Sequence, residues 1–179
     1  AFDVAGAPAQ VDRLVTEGEI VCIIGGGGKS GILCCYQAMK NVGQYGKVIV
    51  VEDSQTNAQR IKDMGLATDV IVADATNVMD VYNKVMAITG GRGTDVTINN
   101  VNVPSTEMTS ILITKGQGCV YFFSMATSFT KAALGAEGVG KDINLIVGNG
   151  YAKGHAELTL NIIRESKPIR DLFEKMYVK

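Results

Sequence analysis

Six short runs of apolar, largely β-branched residues recur along the chain, at 20–24, 48–52, 70–73, 96–99, 119–123 and 143–147. Their spacing, and the character of what lies between them, limits the fold more than any other feature. The runs are nearly continuous in apolar residues instead of alternating with polar ones, the pattern of strands covered on both faces. The intervals carry a helical period. Ile32, Leu33, Tyr36, Met39 and Val42 follow the i, i+3, i+4, i+7 rule. Ala58, Ile61, Lys62 and Met64 outline a second, more polar helix, and Val78, Val81, Tyr82, Val85, Met86 and Ile88 a third. A fourth is expected over 105–113 with Pro104 at its start, a short fifth over 129–134, a sixth over 154–164 and a tail helix over 169–177 after Pro168. Strands alternating with helices build parallel βαβ units with right-handed crossovers. The expected architecture is α/β, a Rossmann fold with a doubly wound six-stranded parallel sheet and helices on both faces. Residues 1–18 are expected to form a lead-in with a short helix at 11–15, 19–150 the Rossmann domain, and 151–179 C-terminal helices packed on it.

The first run opens into Gly25-Gly26-Gly27-Gly28-Lys29-Ser30-Gly31. Gly26, Gly28 and Gly31 match G-x-G-x-x-G in the register that Gly31 dictates, with a strand before and a helix after, the context in which this motif holds a diphosphate. Gly26 is expected to permit the tight turn, Gly28 the approach of the pyrophosphate to the backbone, and Gly31 the close packing of helix on strand. Free N–H groups along Gly26, Gly27, Gly28, Lys29, Ser30 and Gly31, at the positive end of the helix, then face the phosphates. The next strand ends in Glu52-Asp53, and Glu52 stands 52 − 31 = 21 positions beyond Gly31. That is close to the roughly 20-residue spacing of the acid that binds the adenosine ribose; Asp53 is its reserve. Gly28-Lys29-Ser30 also imitates the end of a Walker A loop, but that motif requires glycine at position 23, where the chain has Ile23 inside the strand.

Ligands of open α/β sheets lie beyond the carboxyl ends of the strands. By position, Asp74 and Ala75 border the adenine, and Asn100, Val101 and Asn102 the nicotinamide ribose. Ser124 and Met125 approach the nicotinamide, and Gly148-Asn149 lines the outer wall. A carboxylate at the ribose repels a 2′-phosphate, so NAD is the favoured cofactor; NADP is possible if Arg60 turns inward.

Composition narrows the partners. Lys and Arg total 17 against 18 Asp and Glu, a net charge of −1, which argues against a phosphate-backbone-binding surface and so against nucleic acid. No apolar run reaches the roughly 18 residues of a membrane span, and no secretory leader is expected at Ala1. Cys22 and Cys119 lie in strand-like runs, and Cys34 and Cys35 are adjacent on a helix. This spacing suits neither zinc nor a disulfide framework, so reduced thiols in a cytoplasmic protein are expected. With His155 as the sole histidine, no metal site is expected.

Residues 15–28 resemble the entry to the coenzyme domain of medium-chain dehydrogenases, as do Val48-Ile49-Val50-Val51-Glu52 and Met64-Gly65-Leu66-Ala67. Three further segments, 99–108, 121–129 and 148–157, resemble the diaminohexanoate dehydrogenases of lysine fermentation. That resemblance implies an NAD(P)-dependent oxidative deamination of a small amino-acid substrate, with a catalytic domain outside these 179 residues. No residue is assigned as catalytic; Glu107 and Glu157 are candidates to meet substrate ammonium groups and His155 to move a proton. A homodimer through the last strand is expected, because an apolar edge strand is a pairing template. The competing classes are a non-catalytic nucleotide-sensing module and a P-loop-like hydrolase.

Overall fold

The computed structural model describes residues 6–148 and 150–178. In chain order the elements are α1 (Ala7–Leu14), β1 (Ile20–Ile24), α2 (Lys29–Val42), β2 (Lys47–Glu52), α3 (Gln55–Asp63), β3 (Asp69–Val72), α4 (Val78–Thr89), β4 (Thr94–Asn99), α5 (Glu107–Ile113), β5 (Thr114–Phe122), α6 (Phe129–Gly138), β6 (Asn144–Val147), α7 (His155–Glu165) and α8 (Lys167–Tyr177). All strand pairs are parallel, and the sheet runs β3-β2-β1-β4-β5-β6. This is the expected doubly wound Rossmann sheet, with its topological switch between β1 and β4.

Alternate side chains of one strand serve opposite faces. Val21 and Ile23 of β1, Val48 and Val50 of β2, and Ile98 of β4 join a core closed by Val11 of α1, Ile32 and Cys35 of α2, Ile162 of α7 and Ile169 of α8. Their neighbours Cys22, Ile24, Ile49 and Val51 face the other way, onto Val81 and Val85 of α4 and Ile113 of α5. Both faces of the central strands are thus covered, which is why their sequences do not alternate. At the amino-terminal edge, the buried Asp95 carboxylate accepts the Ile20 N–H at 2.7 Å and pairs with Arg92 at 2.6 Å, fastening the start of β1 to β4.

Three local expectations are corrected. The short helix expected at 11–15 runs Ala7–Leu14, with Pro8 in its first turn and Val15 as its C-cap. The apolar pattern places β5 at 119–123, whereas the strand begins at Thr114, directly after α5. The added residues Thr114-Lys115-Gly116-Gln117-Gly118 are polar or glycine and leave no apolar trace. Their entry is held by buried hydroxyls, with Thr97 Oγ1 2.7 Å from the Oγ1 atoms of both Thr94 and Thr114. The fourth helix starts at Glu107 with Thr106 as N-cap, so Pro104 lies outside it, and Ser105 turns the chain at φ 69°.

The ladder continues one residue past the strands at the carboxyl edge. Gly25 N–H donates to Val51 O, Asn100 N–H to Ile24 O, Ala73 N–H to Glu52 O and Phe123 N–H to Asn99 O, at 2.8, 2.9, 3.1 and 3.0 Å. Four loops therefore emerge side by side from one rigid edge.

Candidate functional site

The first of these loops is shaped by absent side chains. Gly25 takes φ +80°, in the left-handed region that favours glycine, and a Cβ there would stand 2.4 Å from Val101 Cγ1. The tight turn expected at Gly26 is therefore made one residue earlier. Gly26 is small for another reason: its Cβ would meet Val50 Cγ1 at 2.5 Å. Gly31 behaves as expected, since a Cβ on it would lie 2.1 Å from the Gly25 carbonyl oxygen. Gly28 is the opposite case, with no atom within 4 Å of an added Cβ. It is the N-cap of α2, which has no side-chain cap and no acid in its first turn. The positive end of α2 is thus left for a partner arriving through that open space.

Gly27 departs from expectation. Its N–H is not free but donates to Glu52 Oε2 at 2.8 Å, and its Cα packs on Asn57, whose Cβ would be 2.5 Å from a Gly27 Cβ. Glu52 ends β2 only 6% exposed. Its Oε1 accepts the Ser54 N–H and Asn57 Nδ2, each at 3.3 Å. The carboxylate thus serves the phosphate loop as well as facing the site.

Two adjoining cavities lie along this edge. The first, of about 290 Å³, is lined by Gly28, Glu52, Asp53, Asp74 and Ala75, together with Asn100, Val101 and Asn102. The second, of about 280 Å³, is lined by Ser30, Ser124 and Met125 and shares Asn100 and Asn102 with the first. The fold thus gathers eleven of the fifteen residues singled out as cofactor contacts. Gly26, Gly27 and Gly31 lie behind the loop surface, and Lys29 points elsewhere: its Nζ sits 4.1 Å from the centroid of the Tyr177 ring on α8. Gly148 lines the second cavity, while Asn149 lies outside the described residues. Sequence reasoning missed Gly25, Val51, Ala73 and Val103 in the first cavity and Phe123 and Gly150 in the second. These contribute backbone and apolar wall, which no motif marks.

At the junction of the cavities, both side-chain polar atoms of Asn100 are buried with no nitrogen or oxygen partner, the Cys34 thiol being the weak group beside the amide. A buried amide so placed calls for a polar ligand group. Together with the open space at Gly28, the uncapped α2 and the carboxylate of Glu52, it fits a dinucleotide.

The substrate candidates do not converge there. Glu107 is 3% exposed and its Oε1 accepts the Ser128 N–H at 2.7 Å, tying α5 to the start of α6. Glu157 pairs with Arg164 at 3.0 Å. His155 Nδ1 lies 2.9 Å from Ala152 O, with the Tyr151 ring edge-on. None of the three lines either cavity. Arg60 does not turn inward; its Nη1 donates to Asn57 Oδ1 at 3.1 Å. Burial pushes the thiols of Cys22 and Cys34 up to about 12 and that of Cys35 well above its ordinary value, so none of them supplies a thiolate at neutral pH. A larger cavity of about 530 Å³ opens at the opposite edge. Its cations are already engaged: Arg92 and Lys115 on Asp95, and Lys141 on the carbonyls of Ile111 and Leu112 at the end of α5.

A parallel sheet of this order, with a glycine turn after β1 and a buried acid ending β2, defines the class of Rossmann-type domains. Within that class, residues 32–147 match the zinc-binding dehydrogenase family model, and the chain belongs to that family. It is 54% identical over 178 residues to an L-erythro-3,5-diaminohexanoate dehydrogenase of Acetoanaerobium sticklandii, a match covering 99% of this chain and 52% of the relative. It is 53% identical over 181 residues to the enzyme of the same name from Fusobacterium nucleatum, again 99% and 52%. The chain spans about half the length of these curated relatives. Among solved structures, a zinc-dependent alcohol dehydrogenase from Streptococcus pneumonia superposes with TM-score 0.72 at 20% identity, over 94% of this chain and 48% of that one. A Sinorhizobium meliloti protein solved bound to NADP gives 0.69 at 19% identity, over 91% and 46%. At these identities the structural likeness speaks for the fold.

The family's description names zinc. Among the described residues, no three of His, Cys, Asp and Glu come together as a metal would require, and three of the four thiols are enclosed in the core. The described residues do not make a zinc site.

Proposed function

We propose that this chain is the cofactor-holding part of a nicotinamide-dependent oxidoreductase, with NAD(H) favoured over NADP(H). We further propose that the whole protein oxidatively deaminates 3,5-diaminohexanoate, the 3-amino group leaving as ammonium and C3 becoming the ketone of 5-amino-3-oxohexanoate. The observation that carries the cofactor reading is the open face of Gly28 at an uncapped α2 terminus, next to a buried carboxylate across one continuous cavity. The substrate reading is supported by the 54% identity to a dehydrogenase of that name.

In this reading the N–H groups at Gly28, Lys29 and Ser30 hold the diphosphate, and Glu52 with Asp53 accepts from the adenosine ribose. Asp74 and Ala75 flank the adenine, and the Asn100 amide meets the sugar on the nicotinamide side. Ser124 and Met125 border the nicotinamide. The bound dinucleotide supplies a hydride acceptor; the protein orients it against the sheet edge and excludes water. Glu52 disfavours a 2′-phosphate by like charge, and Arg60 of α3 is held by Asn57.

Calorimetric titration with NADH and, separately, NADPH tests the reading. Binding of either, with NADH the tighter, is expected. Binding of neither overturns it.

Two accompanying proposals concern state and place. A homodimer through β6 is supported by the free outer edge of that strand, by exposed Val147, and by exposed Phe129, Leu134 and Val139 around α6. Light scattering at tens of micromolar should give twice the chain mass, and a monomer refutes it. A cytoplasmic location is supported by four unpaired cysteines. No helix among the described residues is long and apolar enough to cross a membrane.

A further inference from the structure

The β2–α3 corner carries a side chain that neither the glycine motif nor the family match singles out. Asn57 sits in the first turn of α3, its N–H donating to the N-cap hydroxyl of Ser54 at 3.3 Å. Its amide points two ways. Nδ2 donates to Glu52 Oε1 at 3.3 Å, and Oδ1 accepts from Arg60 Nη1 at 3.1 Å. Only this flip of the amide serves a carboxylate on one side and a guanidinium on the other. Its Cβ also fills the space that a side chain on Gly27 would need. A single residue thus touches the phosphate loop, the Glu52 carboxylate and the Arg60 guanidinium.

We infer that Asn57 is the positioning residue of this pocket: it locks the Glu52 carboxylate onto the phosphate loop and holds Arg60 off the ribose edge, and so sets the choice between a free ribose 2′-hydroxyl and a 2′-phosphate. The inference rests on the dinucleotide reading above. A carboxylate offers about four acceptor sites. Three are filled by the Gly27 N–H, the Ser54 N–H and Asn57 Nδ2. The remaining capacity faces the cavity that Glu52 lines, enough for a hydroxyl donor. A phosphate would meet the same oxygen while Arg60 stays engaged by Asn57. Removing the amide releases both constraints. Glu52 can swing off Gly27, and Arg60 becomes available to an anion.

The test uses the whole chain and the variants N57A, N57D, R60A and N57A/R60A, with two readouts. Amide hydrogen exchange at Gly27 in the ligand-free protein should quicken about tenfold in N57A, as a charge-assisted bond loosens. Calorimetry should show NADH weakened about tenfold and NADPH weakened less, so that the preference for NADH falls about fivefold. Adding R60A to N57A should restore the ratio, whereas a merely structural part for Asn57 would weaken both nucleotides alike. N57D keeps an acceptor for Arg60 but offers Glu52 no donor. It should quicken Gly27 exchange without the shift toward NADPH, and it serves if N57A fails to fold. Unchanged Gly27 exchange in both variants, or a nucleotide ratio that none of them moves, overturns the role of Asn57 while leaving the dinucleotide reading intact. A wild-type chain that binds neither nucleotide overturns that reading and the selection role together.

Discussion

Gly28 and Gly31 belong to one motif yet should fail in opposite ways when changed to alanine. At Gly31 the new methyl carbon would lie 2.1 Å from the Gly25 carbonyl oxygen and 2.7 Å from the Cα and carbonyl carbon of Gly26. These are backbone atoms of the β1–α2 turn and cannot rotate away. Ordinary non-bonded separations are about 3.5 Å, so α2 and the end of β1 must part by up to about 1.4 Å in an otherwise close-packed core. Overpacking of this kind costs about 1–3 kcal/mol, and a backbone clash puts Gly31→Ala at the upper end, about 3 kcal/mol. For a domain of this length that corresponds to a fall in Tm of roughly 6–12 °C. Gly28→Ala meets nothing within 4 Å, and its φ of −78° and ψ of 176° suit alanine. Alanine is a poorer N-cap than glycine but stiffens the unfolded chain, opposing effects each below about 1 kcal/mol. Its Tm should stay within about 2 °C of wild type, while nucleotide affinity falls at least about tenfold, because the methyl group occupies the path of the diphosphate. Thermal unfolding by circular dichroism, paired with calorimetry, separates the two. Equal Tm values for wild type and Gly31→Ala would refute the argument from close approach, and undiminished binding by Gly28→Ala would refute the placement of the phosphates.

Acid should weaken the fold through Asp95. Burial alone would raise its pKa, but the Lys115 ion pair, the Ile20 N–H and Arg92 outweigh it, and the carboxyl titrates below its ordinary value of 3.8. Its contribution is therefore complete above about pH 4 and is lost as pH falls through the lower, folded value; Asp95→Asn should flatten the acid limb of a urea-midpoint profile, and an unchanged limb would sink the assignment. Replacing Glu107 with alanine strips the acceptor from the Ser128 N–H and should cost about 2 kcal/mol in urea unfolding, with Glu107→Gln costing less. Equal losses in the two variants would mean that the carbonyl acceptor is not what matters. At pH 8 a thiol-specific disulfide reagent should count at most one reactive cysteine, Cys119, until denaturant is added, since Cys22, Cys34 and Cys35 are buried with raised pKa values; rapid modification of two or more would show that the core opens.

Much of this protein was legible before any coordinate. Short, β-branched apolar runs such as Val48-Ile49-Val50-Val51 read as strands covered on both sides, and helical intervals between them favour parallel pairing. β1 and α4 sit where periodicity puts them to within a residue. The glycine motif and Glu52 also announced themselves, because their spacing follows from the length of one βαβ unit. Polar β5 entry residues such as Thr114 and Gln117 were silent, since pattern reading depends on apolar contrast; Thr114 is placed by its hydroxyl bond to Thr97, and Gln117 by its N–H bond to the Asp142 carbonyl.

Local sequence therefore determined the elements, their order and the loop that leads the site, all consequences of short-range periodicity and of backbone freedom at glycine. Tertiary packing alone decided the rest. It placed the left-handed turn at Gly25 instead of Gly26, turned Glu52 onto Gly27, drew Arg60 back to Asn57, and sank Glu107 under the start of α6. Each of these depends on which atoms, remote in sequence or a helical turn away, come within about 3 Å, and no periodicity along the chain encodes that distance.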